Sequence, residues 1–185
     1  MRYDARAMAS ASDIRLIVSD VDGVWTDGRI IYAGDRIEIK EFNVRDGLAV
    51  KLAQRVGIAI ALLTSRRSQA LEKRAGELGI AEVHQGAANK FEELEKLSQK
   101  LAVPFTQILY AGDDLPDLAA MTRVAISAAP SDAAAEVREA ATWKLDAAGG
   151  RGAFREIVER LLRERGEWEN LVRELTIGQS EASSI

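Results

Sequence analysis

At 185 residues, 47% hydrophobic and 29% charged, the chain is long enough to fold as one domain around a sizeable core. A net charge of −4 and a pI near 5.2 argue against a general nucleic-acid or membrane surface, while leaving room for a local basic pocket. There is no cysteine, hence no disulfide framework, and no apolar run approaches a transmembrane span.

The stretch Met1 to Ser12 carries Arg2 and Arg6 but no apolar core, so it reads as part of a loose arm over residues 1–13 rather than a secretory signal. From Ile14 onward strand and helix periodicities alternate, which predicts a doubly wound, mainly parallel, Rossmann-like α/β sheet in a domain over residues 14–166. Strands are expected near 14–20, 58–64, 81–85, 107–111, 123–127 and 141–145, with helices between them. The first strand carries Leu16, Ile17 and Val18, a run suited to burial on both faces, and ends in Asp20 and Asp22. The carboxyl ends of strands in open α/β sheets are where ligands bind, and Asp22 lies one strand period beyond Asp20, able to point the same way. The plainer reading of Asp20, Asp22 and Asp27 is as turn formers after a strand.

Next comes Arg29 to Phe42, where Ile37 and Ile39 alternate with Glu38 and Lys40 behind an Ala33-Gly34-Asp35 turn, the pattern of a β-hairpin. A helix over 46–56 follows, then a second apolar strand, Ile58 to Leu63, ending in Thr64, Ser65 and Arg66. The helix after Ser65 carries Ala70, Leu71, Arg74 and Leu78 and stops at Gly79. A third helix starts at Asn89-Lys90, with Glu92 completing a capping-box pattern, and ends before Pro104. Lys90 at that position opposes the helix dipole, which favours a role beyond solvation. Ile108 to Ala111 is another strand ending in acids, Asp113, Asp114 and Asp117. Phe154, Ile157, Val158, Leu161 and Leu162 form a helical apolar face, and residues 167–185 read as a C-terminal helix and tail around Trp168, Leu171, Val172 and Leu175. His84, the only histidine, has no histidine or cysteine partner and is read as structural, and Trp143 and Trp168 as packing residues.

Aspartate pair, hydroxyl, lysine and aspartate cluster, in that order and each at a predicted strand end or helix start, resemble the haloacid dehalogenase-like phosphohydrolases. The resemblance implies Asp20 as the nucleophile forming an aspartyl-phosphate. It makes Asp22 the acid and base, partly protonated when substrate binds, with its backbone carbonyl a metal ligand. Asp20 and Asp113 suit Mg²⁺, with Asp114 and Asp117 behind them. Thr64 and the amides of the following helix would hold phosphoryl oxygens, and Lys90 would neutralise charge and orient Asp20. Enzymes of this superfamily often carry a cap domain after the first motif or between the second and third. Here those gaps hold only a hairpin with a helix, and a helix with a strand, so no cap is expected and neighbouring subunits are expected to close the site.

Arg29-Ile-Ile-Tyr, Ile39 to Gly47 (IKEFNVRDG), Gly112 to Asp117 (GDDLPD) and Gly149 to Ala153 (GGRGA) are similar to signatures of the 3-deoxy-D-manno-octulosonate 8-phosphate phosphatases, over roughly residues 14–166. That resemblance implies a cytoplasmic, Mg²⁺-dependent homotetramer in lipopolysaccharide synthesis, acting on a small sugar-acid phosphate. Its substrate-binding candidates are Arg45, Ser65, Arg66, Asn89 and Arg151. A guanidinium at Arg66 suits a sugar-acid carboxylate, though a solvated helix-start arginine fits equally. Arg151 lies in a loop with three glycines in four positions, which either approaches a neighbouring ligand or simply connects to the last helix. Ser65 stands where the family usually has Gly, and Ala87-Ala88 where it has Gln-Ser. Two other functions stay open: hydrolysis of nonulosonate 9-phosphates, and a non-catalytic oligomerisation module of the same fold.

Overall fold

The computed structural model describes residues 10–34 and 37–182. A central six-stranded sheet runs β5-β4-β1-β6-β7-β8, all neighbours parallel. Its strands are β1 (Leu16–Ser19), β4 (Ala59–Thr64), β5 (Glu82–Gln85), β6 (Ile108–Ala111), β7 (Ile126–Ala129) and β8 (Trp143–Lys144). Every side chain of β1, β6 and β7 is buried, as expected of strands covered on both faces.

The pleat divides the core in two. Ile17, Ile60, Leu62 and Leu109 face α1 (Val44–Arg55), α2 (Gln69–Leu78) and α6 (Ala153–Glu164). Leu16, Val18, Ala61 and Leu63 face α3 (Lys90–Leu101), α4 (Leu118–Met121) and α5 (Ala135–Ala140). The amphipathic face of α6 is fully buried, and Trp168 and Leu171 of α7 (Trp168–Ala182) extend the same cluster. Trp168 lies beneath the guanidinium groups of Arg155 and Arg163, and Trp143 beneath Arg160, so both tryptophans pack. His84 sits beside Glu82 and Glu93 at the sheet edge. Among the described residues no helix is long and apolar enough to cross a membrane.

Several boundaries move, among them the strands expected over 14–20 and 141–145, which shorten to Leu16–Ser19 and Trp143–Lys144. The fifth expected strand, 123–127, forms at Ile126–Ala129, because Arg123 closes a turn after α4 and Ala128 and Ala129, poor strand formers alone, are wholly buried within the sheet. Helix α1 begins two residues early, at Val44, since the Asn43 side chain accepts the Arg45 amide. The expected arm over 1–13 lies outside the described residues as far as Ala9, while Ala11–Asp13 form a 3₁₀ turn with Ala11 buried.

The hairpin forms as expected from β2 (Ile31–Ala33) and β3 (Ile37–Ile39), antiparallel, with Ile31 opposite Ile39 and Tyr32 opposite Glu38. Ile30, Ile31, Tyr32 and Ile39 are all exposed.

A hydrogen-bonded link joins the Asn-Val-Arg-Asp-Gly and Gly-Gly-Arg-Gly-Ala segments. Asn43 donates to the carbonyl of Gly150, and the buried carboxylate of Asp46 accepts the Arg155 amide at 2.7 Å, supplying the side-chain cap that Gly152 cannot give to α6. The other Asp46 oxygen is buried without a hydrogen bond. Burial pushes the Asp46 carboxyl up to about 6, against the lowering pull of the Arg155 amide and of Arg155 and Arg74. Its folded pKa therefore exceeds its unfolded one, so this group's contribution to stability is complete below about pH 4 and is lost as pH rises through 6. We expect Asp46→Asn, which keeps the acceptor, to remove a decline on the order of 2–3 kcal/mol between pH 4 and 7. Urea unfolding at both pH values checks this, and parallel stability curves for parent and variant would contradict it.

Candidate active site

β1 and β6 pair in register from Leu16↔Ile108 to Ser19↔Ala111, so their next residues emerge side by side at the carboxyl end of the sheet. The Asp20 amide donates to the Ala111 carbonyl at 2.9 Å, fixing the backbone at this point. The Asp20 side chain meets the Lys90 ammonium, 2.9 Å away, delivered by the first turn of α3. Lys90 also reaches Asp117 at 2.8 Å, and both partners are almost wholly buried. The two carboxylates outweigh the unfavourable dipole at this helix start. Burial alone would lower its pKa, but the charges of Asp20 and Asp117 more than offset this and hold it above the usual lysine range.

Asp20, Asp113 and Asp117 place carboxylate oxygens within 4.8 Å of one another. Asp117 is fully engaged: it accepts from Lys90, from the Tyr110 hydroxyl at 2.8 Å and from the amides of Asp113 and Asp114. That makes it an orienting group rather than a free ligand. Asp20 and Asp113 are both pushed well up, first by burial, then by neighbouring charge: Asp117 acting on Asp20, and Asp20 acting on Asp113. Three carboxylates against one lysine leave negative charge that an oxygen-seeking divalent cation would neutralise, and the donor set fits Mg²⁺.

A cavity of about 280 Å³ opens above these groups, lined by Asp20, Asp22, Thr64, Ser65, Arg66, Lys90, Asp113 and Asp114 among others. Eight of the residues singled out from sequence therefore converge. Thr64 ends β4, accepting the Arg66 amide and lying 3.4 Å from Asp22. Asp114 caps the turn Leu115–Asp117 in a capping box. Gly23 supports the arrangement by its bare Cα: with φ +95, a Cβ there would lie 1.9 Å from Asp113 Oδ2.

Other expected site residues do not join within one protomer. Asn89 caps α3, accepting the Phe91 and Glu92 amides, and does not line the cavity. Arg45 and Arg151 line a separate groove along α6, and Arg151 lies 4.0 Å from Asp27. Helix α2 starts at Gln69, so the amides beside Thr64 belong to a turn rather than to a helix end. The Gly149 loop approaches the loop after β1 in its own chain: a Cβ at Gly149 would lie 2.0 Å from the Gly23 carbonyl oxygen.

Sequence reasoning missed Lys40. The alternation of β3 runs on into Lys40, one residue past its end, but the polar side turns inward: the buried Lys40 ammonium contacts Asp22 and lies 3.2 Å from Glu38, which Arg66 also reaches at 3.2 Å. Burial would raise the Glu38 carboxyl, yet bonds from Lys40 and Arg66 hold it below the ordinary range. Trp25 was also unread: its indole donates to Ser19 at 3.0 Å and packs on Phe154, pinning the loop after β1 to α6.

Residues 63–150 match the family of haloacid dehalogenase-like hydrolases. The 3-deoxy-D-manno-octulosonate 8-phosphate phosphatase of Escherichia coli (strain B / BL21-DE3) is 40% identical over 163 residues, covering 88% of this chain and 87% of that protein. The chain belongs to the 3-deoxy-D-manno-octulosonate 8-phosphate phosphatase family. It is accordingly a phosphoric monoester hydrolase of the haloacid dehalogenase-like type. The phosphatase of Moraxella catarrhalis, solved in complex with magnesium, phosphate and KDO, superposes with a TM-score of 0.87 at 34% identity, over 89% of this chain and 95% of that one. The cobalt-bound Haemophilus influenzae enzyme gives 0.83 at 36%, over 85% and 92%.

Proposed function

We propose that this chain is a Mg²⁺-dependent phosphatase converting 3-deoxy-D-manno-octulosonate 8-phosphate to the free sugar acid and phosphate. The observation that carries this reading is the placement of Asp20: almost buried, one oxygen held by Lys90, at the floor of a cavity that also presents Asp22, Thr64 and Arg66. The relatives named above support the substrate.

Asp20 attacks phosphorus, the bond from phosphorus to the C8 oxygen breaks, and Asp22 delivers a proton to the departing alkoxide. Asp22 then removes a proton from water, which attacks the aspartyl-phosphate and frees Asp20. Lys90 keeps the nucleophile aimed, while the Thr64 hydroxyl and the amides of its turn receive phosphoryl oxygens. Arg66 is suited to the substrate carboxylate. When bound at Asp20, Asp113 and the Asp22 carbonyl, Mg²⁺ supplies charge neutralisation that the single lysine cannot.

No cap covers this site among the described residues, and the hairpin leaves Ile31, Tyr32 and Ile39 open to solvent on strands that pair only with each other. Burying such a surface between subunits explains both features, so the active unit is a homo-oligomer; the family resemblance alone makes it a cytoplasmic tetramer. Arg45 and Arg151, outside their own cavity, would then serve a neighbour.

The deciding experiment is Mg²⁺-dependent phosphate release from octulosonate 8-phosphate, nonulosonate 9-phosphates and common sugar phosphates. Preference for the first by at least about tenfold in kcat/KM is expected, roughly one well-placed contact. Preference for a 9-phosphate would move the chain to the sister activity, and no turnover would favour a scaffold. For the assembly, Ile39→Glu should shift sedimentation to monomer and reduce turnover together. A fully active monomer would contradict the shared site.

A further inference from the structure

β3 does more than present an apolar face. Glu38 in β3 and Lys40, the residue just past its end, both turn to the side facing the loop that carries Asp22. The Lys40 side chain is 2% exposed and does not line the cavity, whereas Asp22 is 20% exposed and does. Lys40 therefore reaches the cavity only through Asp22. One Asp22 oxygen, Oδ1, takes the Lys40 ammonium; the other, Oδ2, lies 3.4 Å from Thr64 Oγ1, on the phosphoryl side.

The ammonium is itself fixed. Glu38 Oε1 accepts from it at 3.2 Å and binds Arg66 Nη2 at the same distance, giving a line Arg66, Glu38, Lys40, Asp22 in which charge alternates and sums to zero. An aspartate on a loop would otherwise spread over several rotamers, and a proton donor must stand within hydrogen-bond reach of the leaving oxygen.

We propose that Lys40 is a positioning residue for Asp22: the hairpin lends the active site a buried cation that anchors one carboxylate oxygen so that the other faces the scissile ester. This rests on the phosphatase reading above and adds a part to it. The consequence is selective. Alkyl phosphates need a proton on the departing oxygen, whereas p-nitrophenolate leaves without one, so only the first should depend on Lys40.

The test compares single-turnover cleavage of the sugar-acid phosphate with the burst of p-nitrophenolate from p-nitrophenyl phosphate, in parent, Lys40→Met and Lys40→Arg. Lys40→Met should slow the alkyl ester about 10- to 100-fold, part of what a general acid contributes, with half-saturation and the aryl burst both within about twofold of parent. Lys40→Arg should recover most of the loss. If Lys40→Met does not fold, Lys40→Gln carries the same expectation. Equal losses on both esters, or none on either, would overturn the positioning role and leave the phosphatase reading standing. A parent that cleaves a different alkyl phosphate would correct the substrate alone, the contrast then being read on that ester. A parent inert to both esters would overturn both claims.

Discussion

One buried ammonium holds the site together. Lys90 lies between Asp20 and Asp117, with Asp113 close by, and removing a partner from such a cluster leaves uncompensated buried charge at a cost of about 3–5 kcal/mol. The sheet makes this crowding unavoidable, because β1 and β6 are neighbours in register and each ends in an acid-bearing loop. A shift of one residue in either strand would turn its carboxylate into the core. The excess negative charge left after Lys90 has paired is the physical basis for a divalent cation here.

Around that centre the loop carrying Asp20 and Asp22 is braced from two directions. Trp25 and the close approach of Gly149 tie it to α6, whose own start is capped by Asp46 from α1. From the other side, the hairpin's end reaches Asp22 through Lys40. The segments Asn43 to Gly47 and Gly149 to Ala153 are thus a structural bracket within one protomer, whatever further use an assembly makes of Arg45 and Arg151. Such support from packed elements is what keeps a reacting constellation within tenths of an ångström of its working geometry.

Much of this was readable in the residues. Leu16 to Val18 and Ile108 to Ala111 are apolar runs of strand length that end in acids, and Asp20, Asp22, Thr64, Lys90 and Asp113 converge because strand ends converge in a parallel sheet. What escaped depends on direction rather than pattern. Glu38 and Lys40 alternate with isoleucines just as they would with the polar side in water, and only the hairpin's placement turns them inward. Asn89 fits a cap pattern and accepts the Phe91 and Glu92 amides, while its place among the substrate-binding candidates came from the resemblance alone. Asp46 carried no signal of burial, since an acid in the first turn of a helix is ordinarily solvated.

The claim on which the rest depends is that Asp20 carries the phosphoryl group. Enzyme mixed with substrate and Mg²⁺, quenched in acid within the first turnover, then reduced with borohydride, would convert an aspartyl-phosphate to homoserine, which peptide mass spectrometry locates. Homoserine at position 20, absent when substrate is omitted, is the predicted result. Substrate consumed at the normal rate with no modification at Asp20, or with the label at another carboxylate, would contradict the account.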